Sequence, residues 1–246
     1  MKKKRLDLIL VERGLAPSRE RAQSLILAGK VLVEDQPSTK PGTPIAETAT
    51  IRIRGEDHPY VSRGGIKLAA ALETFHIDVK DRIGLDIGAS TGGFTHVLLK
   101  NEVAKVFAVD VGHSQMDWLI RRDPRVVVLE KVNARYLEFG AIGVKVGVIV
   151  VDVSFISLEK ILPALIPFAD DHTDWITLIK PQFEVGRDKV GKKGIVTNEA
   201  DRQEAVDRLT RFGESLGLQR LGLIESPIIG TEGNKEFLAH WKLKTG

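Results

Sequence analysis

From Ile83 onward, short apolar runs rich in β-branched residues alternate with longer helical stretches, and no other feature restricts the fold of this chain so strongly. The runs are Ile83–Ile87, Val106–Val109, Val126–Leu129, Val146–Val151, Trp175–Ile179, Leu221–Glu225 and Phe237–Lys242. Helical patterning covers Phe94–Lys100, Gln115–Arg121, Leu158–Phe168 and Glu199–Leu216, between most of them. A strand that reaches the next strand through a helix pairs with it in parallel. The pattern therefore predicts an α/β fold with a seven-stranded, mainly parallel sheet and helices on both faces. The last two runs have little between them, which predicts a closing antiparallel hairpin.

The chain before residue 60 reads differently. Leu6, Leu8, Ile9 and Leu10 precede Gly14. Ser18 is placed to cap a second helix with Ala22, Leu25, Ile26 and Leu27 at its apolar positions, and Gly29 ends it. Val31–Val33 and Thr50–Arg54 read as strands around a Pro- and Thr-rich stretch at 36–43. Residues 1–30 hold eight Lys or Arg against three Asp or Glu, a local +5 in a chain of net charge +3. A polyanion-binding end on a near-neutral body is the simplest account, although the run Lys2–Lys4 alone reads as a solvated terminus. Residues 55–62 are polar and contain Pro59, so they read as a connector. The expected division is a small α+β domain over 1–57, a linker at 58–62 and the α/β domain over 63–246.

Composition removes several chemistries. The absence of cysteine excludes disulfides, thiolate metal sites and any cysteine nucleophile. The six histidines are scattered without metal-ligand spacing, so no metal is expected. Every long apolar run is cut by a charge, and Asp7, Glu12 and Arg13 interrupt what would be the apolar part of a signal peptide. A membrane role is not expected, and a cytoplasmic location is.

The first strand of the α/β region runs into Leu85-Asp86-Ile87-Gly88-Ala89-Ser90-Thr91-Gly92-Gly93-Phe94-Thr95, a Gly-rich turn that opens directly into a helix. Such a turn lets a ligand approach the backbone. Its glycines do not follow G-x-G-x-x-G, and no Lys-Ser/Thr ending is present, which disfavours a dinucleotide or a triphosphate. Asp86 at the strand tip is placed to meet an ammonium, and Asp110 at the end of the next strand to accept from both hydroxyls of a ribose. Asn133, after the third strand, is placed to read an adenine edge. The set suits an adenosyl ligand with a cationic tail.

The region from Ser62 resembles the FtsJ-type S-adenosylmethionine-dependent ribose methyltransferases. Their D-x-G-A-x-P-G-G-[WF] turn reads here Asp86-x-Gly88-Ala89-x-Thr91-Gly92-Gly93-Phe94, with Thr91 where proline is common. The first fifty-five residues are similar to an S4-type RNA-binding module, carried by Arg5-Leu6-Asp7, Ser18-Arg19-x-x-Ala22 and Ile26-x-x-Gly29-x-Val31-x-Val33. Together they resemble the TlyA family, called hemolysins but understood as rRNA 2'-O-methyltransferases. The resemblance implies a Rossmann-like class I methyltransferase domain behind an S4-type domain, with S-adenosylmethionine as cofactor. It implies cofactor contacts from Asp86, Gly88, Ala89, Ser90, Thr91, Gly92, Phe94, Asp110, Asn133 and Asp152. Its partner would be rRNA or a ribosomal subunit, bound by a monomer.

The resemblance also implies a Lys-Asp-Lys-Glu tetrad, matched by Lys67, Asp152, Lys180 and Glu236, each expected at the end of an element. A ribose hydroxyl is a poor nucleophile and must lose its proton as it attacks the sulfonium methyl. A lysine, with a reference pKa of about 10.4, serves as base only where burial or a nearby cation lowers that value. On this reading Lys180 is the general base, Asp152 orients it, Lys67 supplies the cation and holds the ribose, and Glu236 fixes Lys67.

RNA contacts are expected from Arg5, Arg13, Arg19, Arg21 and Lys30 in the first domain and from Arg63, Arg187, Lys189, Lys192 and Lys193 in the second. Residues 181–194 read either as a mobile basic lip, with Phe183 against a flipped nucleotide, or as a solvated loop. Asp152–Ser157 is a second lip candidate, although Phe155 reads more readily as core. A base N-methyltransferase would place an Asn/Asp-Pro-Pro-aromatic motif where Asp152-Val153-Ser154-Phe155 stands, so ribose is favoured. Two other classes stay open: a non-catalytic cofactor- and RNA-binding ribosome-assembly factor, and a cytolysin.

Overall fold

The computed structural model describes residues 3–16, 18–54, 58–230 and 233–244. The chain divides between Pro59 and Tyr60 into two units. Residues 55–57 of the expected connector, and Lys2 of the basic run, lie outside the described residues.

The first unit runs β1 (Lys3–Arg5), α1 (Leu6–Glu12), α2 (Arg19–Leu27), β2 (Val31–Val33), β3 (Gln36–Ser38), β4 (Pro44–Ala46) and β5 (Ile51–Ile53). Both helices stop where glycine permits a left-handed residue. The Gly14 amide donates to Val11 O and that of Leu15 to Leu10 O; the Gly29 amide donates to Ile26 O and that of Lys30 to Leu25 O. Each pair of bonds satisfies carbonyls that a helix end leaves open. At the other end of α2, Ser18 Oγ accepts from the Arg21 amide at 3.2 Å. Leu6, Ile9, Leu10, Ala22, Leu25, Ile26 and Val31 form the core. The Pro- and Thr-rich stretch is more ordered than its composition suggests: β3 pairs with β2, and β4 pairs with β1.

One carboxylate ties the two helices together. Asp7 is fully buried and accepts from Arg5 Nε and Nη2 (3.0 and 2.9 Å), Arg19 Nε (2.9 Å), Gln23 Nε2 (3.0 Å) and the Leu8 amide (3.0 Å). The Arg5 guanidinium, joined by Gln23 and Arg19, holds the Asp7 carboxyl well below the usual carboxylate range against the opposing effect of burial.

The second unit runs α3 (Gly64–Thr74), β6 (Ile83–Ile87), α4 (Gly93–Lys100), β7 (Lys105–Asp110), α5 (Trp118–Arg121), β8 (Val126–Glu130), β9 (Val148–Val151), α6 (Leu162–Leu165), β10 (Asp174–Ile179), α7 (Pro181–Glu184), α8 (Glu199–Ser215), β11 (Leu218–Glu225) and β12 (Phe237–Leu243). The sheet order is β11-β12-β10-β9-β6-β7-β8. Strands β10, β9, β6, β7 and β8 are mutually parallel; β12 runs antiparallel between β10 and β11. Successive side chains leave opposite faces of a strand. Val148 and Val150 of β9 accordingly pack with α3 and α4, while Ile149 and Val151 pack with α6 and α8. No helix among the described residues is long and apolar enough to cross a membrane.

Three local expectations change. The helix read over 115–121 is reduced to α5, whose first turn is capped by Asp117 accepting from the Leu119 amide. The helix read over 158–168 is a 3-10 turn (Leu158–Lys160), α6, and a second 3-10 turn (Ile166–Phe168). Pro163 and Pro167 lack the amide that a continuous helix needs. Helix α3 was not anticipated: it begins with two glycines and its N-cap, Arg63, makes no side-chain cap.

Replacing Asp7 by alanine strips three side-chain donors of their acceptor and should destabilise the first unit by about 2 kcal/mol. Hydrogen exchange on the full chain would show this as lost amide protection in α1 and α2, with β6 and β9 unchanged. The sign with pH follows from the depressed carboxyl: its contribution is complete above about pH 4 and is lost as the pH falls further.

Candidate functional site

Strand β6 ends at Ile87, and the chain then turns sharply through Gly88 (φ +81°) and Gly92 (φ +89°) into α4. A side chain at Gly88 has no room, because its Cβ would lie 2.2 Å from the carbonyl oxygen of Asp152, on the neighbouring strand end. Gly88 and Ala89 donate their amides to Val109 O, at 2.9 and 3.2 Å, so the turn is fastened to β7 as well. Asp110 closes it: Oδ2 accepts from the Ser90 amide (2.8 Å) and Oδ1 from the Gly112 amide (2.6 Å).

Above this turn lies a cavity of about 320 Å³, bordered by Ser62–Gly64 and Lys67, by Gly88–Thr91, Gly93 and Phe94, and by Ile228–Gly230. Asp152, Lys180 and Glu236 complete its wall. The topology explains the convergence of residues so far apart in sequence. Asp152 follows β9 and Lys180 follows β10, adjacent parallel strands whose carboxyl ends share one sheet edge. Glu236 reaches that edge because β12 runs the other way, with Phe237 opposite Ile179. Lys67 lies in the first turn of α3, at the N-terminal end of that helix.

The four charges form two pairs. Lys67 Nζ donates to Glu236 Oε2 at 2.5 Å, and both side chains are buried. Lys180 Nζ lies 2.6 Å from Asp152 Oδ1 and donates to Ser154 Oγ at 2.9 Å. Ser154 was not foreseen, although its position two residues after Asp152 placed it on the same lip.

Asp86 lies fully buried behind the turn. Thr95 Oγ1 donates to its Oδ2 at 2.6 Å, and its Oδ1 makes no hydrogen bond. Burial pushes its carboxyl up to about 7; the Thr95 hydroxyl opposes the shift and the negative charge of Asp152 adds to it. A buried acceptor without a donor suits a cation or a hydrogen-bond donor. Asn133 is exposed and uses its side-chain oxygen to cap a 3-10 turn by accepting from the Arg135 amide. Gly92, Asp86, Asp110 and Asn133 do not line the cavity directly.

The lips are better ordered than a solvated loop. Residues 181–194 comprise α7 and 3-10 turns at Arg187–Lys189 and Lys192–Gly194. Phe155 is not core: it is 89% exposed, holds φ +64°, and its ring lies 5.2 Å from that of Phe183.

Among the basic residues expected to meet RNA, several have intramolecular partners. Arg5 and Arg19 hold Asp7, and Arg13 donates to Ala49 O and Glu47 O. Lys189 pairs with Asp201 and Glu204, and Arg63 donates to Ile229 O. Arg21 donates to His58 O, and Lys30 is half-buried. Arg5, Arg13, Arg19 and Arg63 stay exposed despite these partners, as are Arg187, Lys192 and Lys193.

Comparison with known proteins agrees with both halves of this picture. The FtsJ-like methyltransferase family matches residues 60–243, and the S4 domain matches residues 4–51. A relative from Mycobacterium tuberculosis, named 16S/23S rRNA (cytidine-2'-O)-methyltransferase TlyA, is 46% identical over 98% of this chain and 90% of its own length. Hemolysin A of Brachyspira hyodysenteriae is 41% identical over 96% of this chain and 99% of its own. A solved structure named "Putative hemolysin from Streptococcus thermophilus" superposes with a TM-score of 0.78 at 41% identity, covering all of this chain and 90% of the other.

The raised carboxyl of Asp86 gives a signed expectation. A carboxyl that is more readily protonated when folded than when unfolded stabilises the fold less as the pH rises from about 4 to about 7. Asp86→Asn, which keeps an acceptor for Thr95, should flatten that decline in a melting series of the ligand-free protein between pH 5 and 8. An unchanged slope would show that Asp86 titrates normally.

Proposed function

The chain belongs to the TlyA family of FtsJ-like methyltransferases with an S4 domain, and from that membership we propose that it methylates a ribose 2'-hydroxyl of rRNA with Lys180 as general base. The observation that carries the reading is the convergence of two ion pairs, the buried Lys67–Glu236 and the buried Lys180 with the half-buried Asp152, lining one cavity against the Gly-rich turn. Taking charges out of water is a costly way to stabilise a fold, so their gathering at the rim where an open α/β sheet takes its ligands favours a chemical role.

The residues present fit S-adenosylmethionine as methyl donor. The unpartnered Asp86 oxygen suits its cationic end, the Gly88 turn admits a ligand close to the backbone, and Asp110 keeps lone pairs free for ribose hydroxyls. Asn133 would face the adenine. When bound, the cofactor supplies a methyl group already activated as a sulfonium substituent. The chain's own task is then to position the hydroxyl and remove its proton. The Lys180 amine, having first released its own proton, takes the hydroxyl proton while the ribose oxygen receives the methyl group. Asp152 receives the ammonium so formed, and Ser154 Oγ holds the amine in place. Lys67, fixed by Glu236, grips the ribose.

The exposed Phe155 beside Phe183 offers a face on which an unstacked base can rest, as RNA modification of a paired or stacked nucleotide requires. Phe155→Ala should raise KM for RNA severalfold, with S-adenosylmethionine affinity unchanged.

The deciding experiment is methyl transfer to naked rRNA, isolated subunits and assembled ribosomes, beginning with cytidine positions because the M. tuberculosis relative is named for them. Lys180→Ala and Lys180→Arg should each lose about 10²-fold or more in rate while retaining cofactor binding. Arginine keeps the charge but cannot serve as a base. Near-normal turnover by Lys180→Arg would reduce Lys180 to an electrostatic role. No transfer to any substrate, despite tight cofactor and RNA binding, would favour the assembly-factor reading.

A further inference from the structure

The lip that follows β9 places an apolar side chain in water on a strained backbone. Phe155 is 89% exposed at φ +64°, a region that bulky residues enter only when their surroundings compel it. Both flanks of Phe155 are tied to the segment that follows β10. On the near side, Ser154 Oγ accepts from Lys180 Nζ. On the far side, Ser157 Oγ donates to Glu184 Oε2 at 2.6 Å and the Leu158 amide donates to Glu184 Oε1 at 2.9 Å.

Lys180 precedes α7 and Glu184 ends it, so this four-residue helix spans the two ties. Glu184 is 3% exposed, and its cationic neighbour, Arg208 of α8, is 3.6 Å away and shared with Glu159. Burial pushes the Glu184 carboxyl up to about 7, against the hydrogen bonds from Ser157 and Leu158. The fold therefore keeps an expensive group where packing alone would be served by an apolar one.

We propose that Glu184 is a positioning residue for the methyl transfer: by clamping Ser157 and Leu158 it locks the lip, so that Ser154 holds the Lys180 amine and Phe155 is presented to the RNA. This rests on the methyltransferase reading and on Lys180 as base. Glu184 touches neither cofactor nor reacting atoms; it acts through the lip.

The test compares unaltered protein with Glu184→Ala, Glu184→Gln and Ser157→Ala, measuring kcat, KM for RNA and Kd for S-adenosylmethionine well below each variant's Tm. Glu184→Ala should lower kcat on the order of tenfold to a hundredfold and raise KM for RNA, with cofactor Kd within about twofold. Glutamine keeps an acceptor for the Leu158 amide and a partner for Ser157, so Glu184→Gln should restore most of the loss. Ser157→Ala should reproduce part of it, and serves as the decisive variant if Glu184→Ala does not fold. Unchanged kcat and KM in folded Glu184→Ala, or in Ser157→Ala in its place, would overturn the proposal, as would a parallel loss of cofactor affinity. If the unaltered protein transfers no methyl group while binding cofactor and RNA, the methyltransferase reading itself fails and this one with it. Normal turnover by Lys180→Arg would remove only the base from the scheme, leaving the KM effect as the measure of the lip.

Discussion

The close approach between β6 and β9 governs the rest of the second unit. Strand order reverses here, with β7 and β8 extending from one side of β6 and β9, β10 and β12 from the other. A reversal of this kind leaves a crevice at the carboxyl ends of the strands. Gly88 stands there against the Asp152 carbonyl, where even a methyl group would collide with backbone. It puts the ligand-approaching turn next to the lip that carries Asp152, Ser154 and Phe155. The Gly-rich turn and the wall that carries the charged residues are thereby fixed to each other by main chain, without depending on the rotamer of a long side chain.

The charges gathered at this rim are paired across elements that the sheet brings together. Lys67 on α3 meets Glu236 before β12, and Lys180 after β10 meets Asp152 after β9. Removing one partner of such a pair leaves a buried charge without compensation, so the pairs also pin the elements that bear them. The same logic operates in the first unit, where Asp7 gathers Arg5, Arg19 and Gln23. There it engages two arginines whose sequence positions suggested RNA contacts, and both stay exposed.

Where sequence reading fell short, the missing information was non-local or lay in weak local signals. Helix α3 opens with Gly64 and Gly65 and lacks a side-chain cap, so nothing nearby announces it; burial of Leu68, Ala71 and Leu72 against the sheet sustains it. Leu158–Phe168 has a helix-like apolar period, but Pro163 and Pro167 divide it. Phe155 reads as core by composition and is exposed, because Lys180 and Glu184 hold the lip on either side of it.

The sequence by itself determined the strand–helix alternation, the capped and glycine-ended helices of the first unit, the Gly-rich turn and the residue types of the tetrad. Those are local properties, carried by periodicity, by caps and by the need for glycine at positive φ. Only the tertiary structure decided that Lys67 pairs with Glu236 across 169 positions, that Ser154 joins Lys180, and that Glu184 braces the lip. Each of these depends on which strand ends become neighbours, and that is set by sheet order and by the direction of β12 rather than by any spacing along the chain.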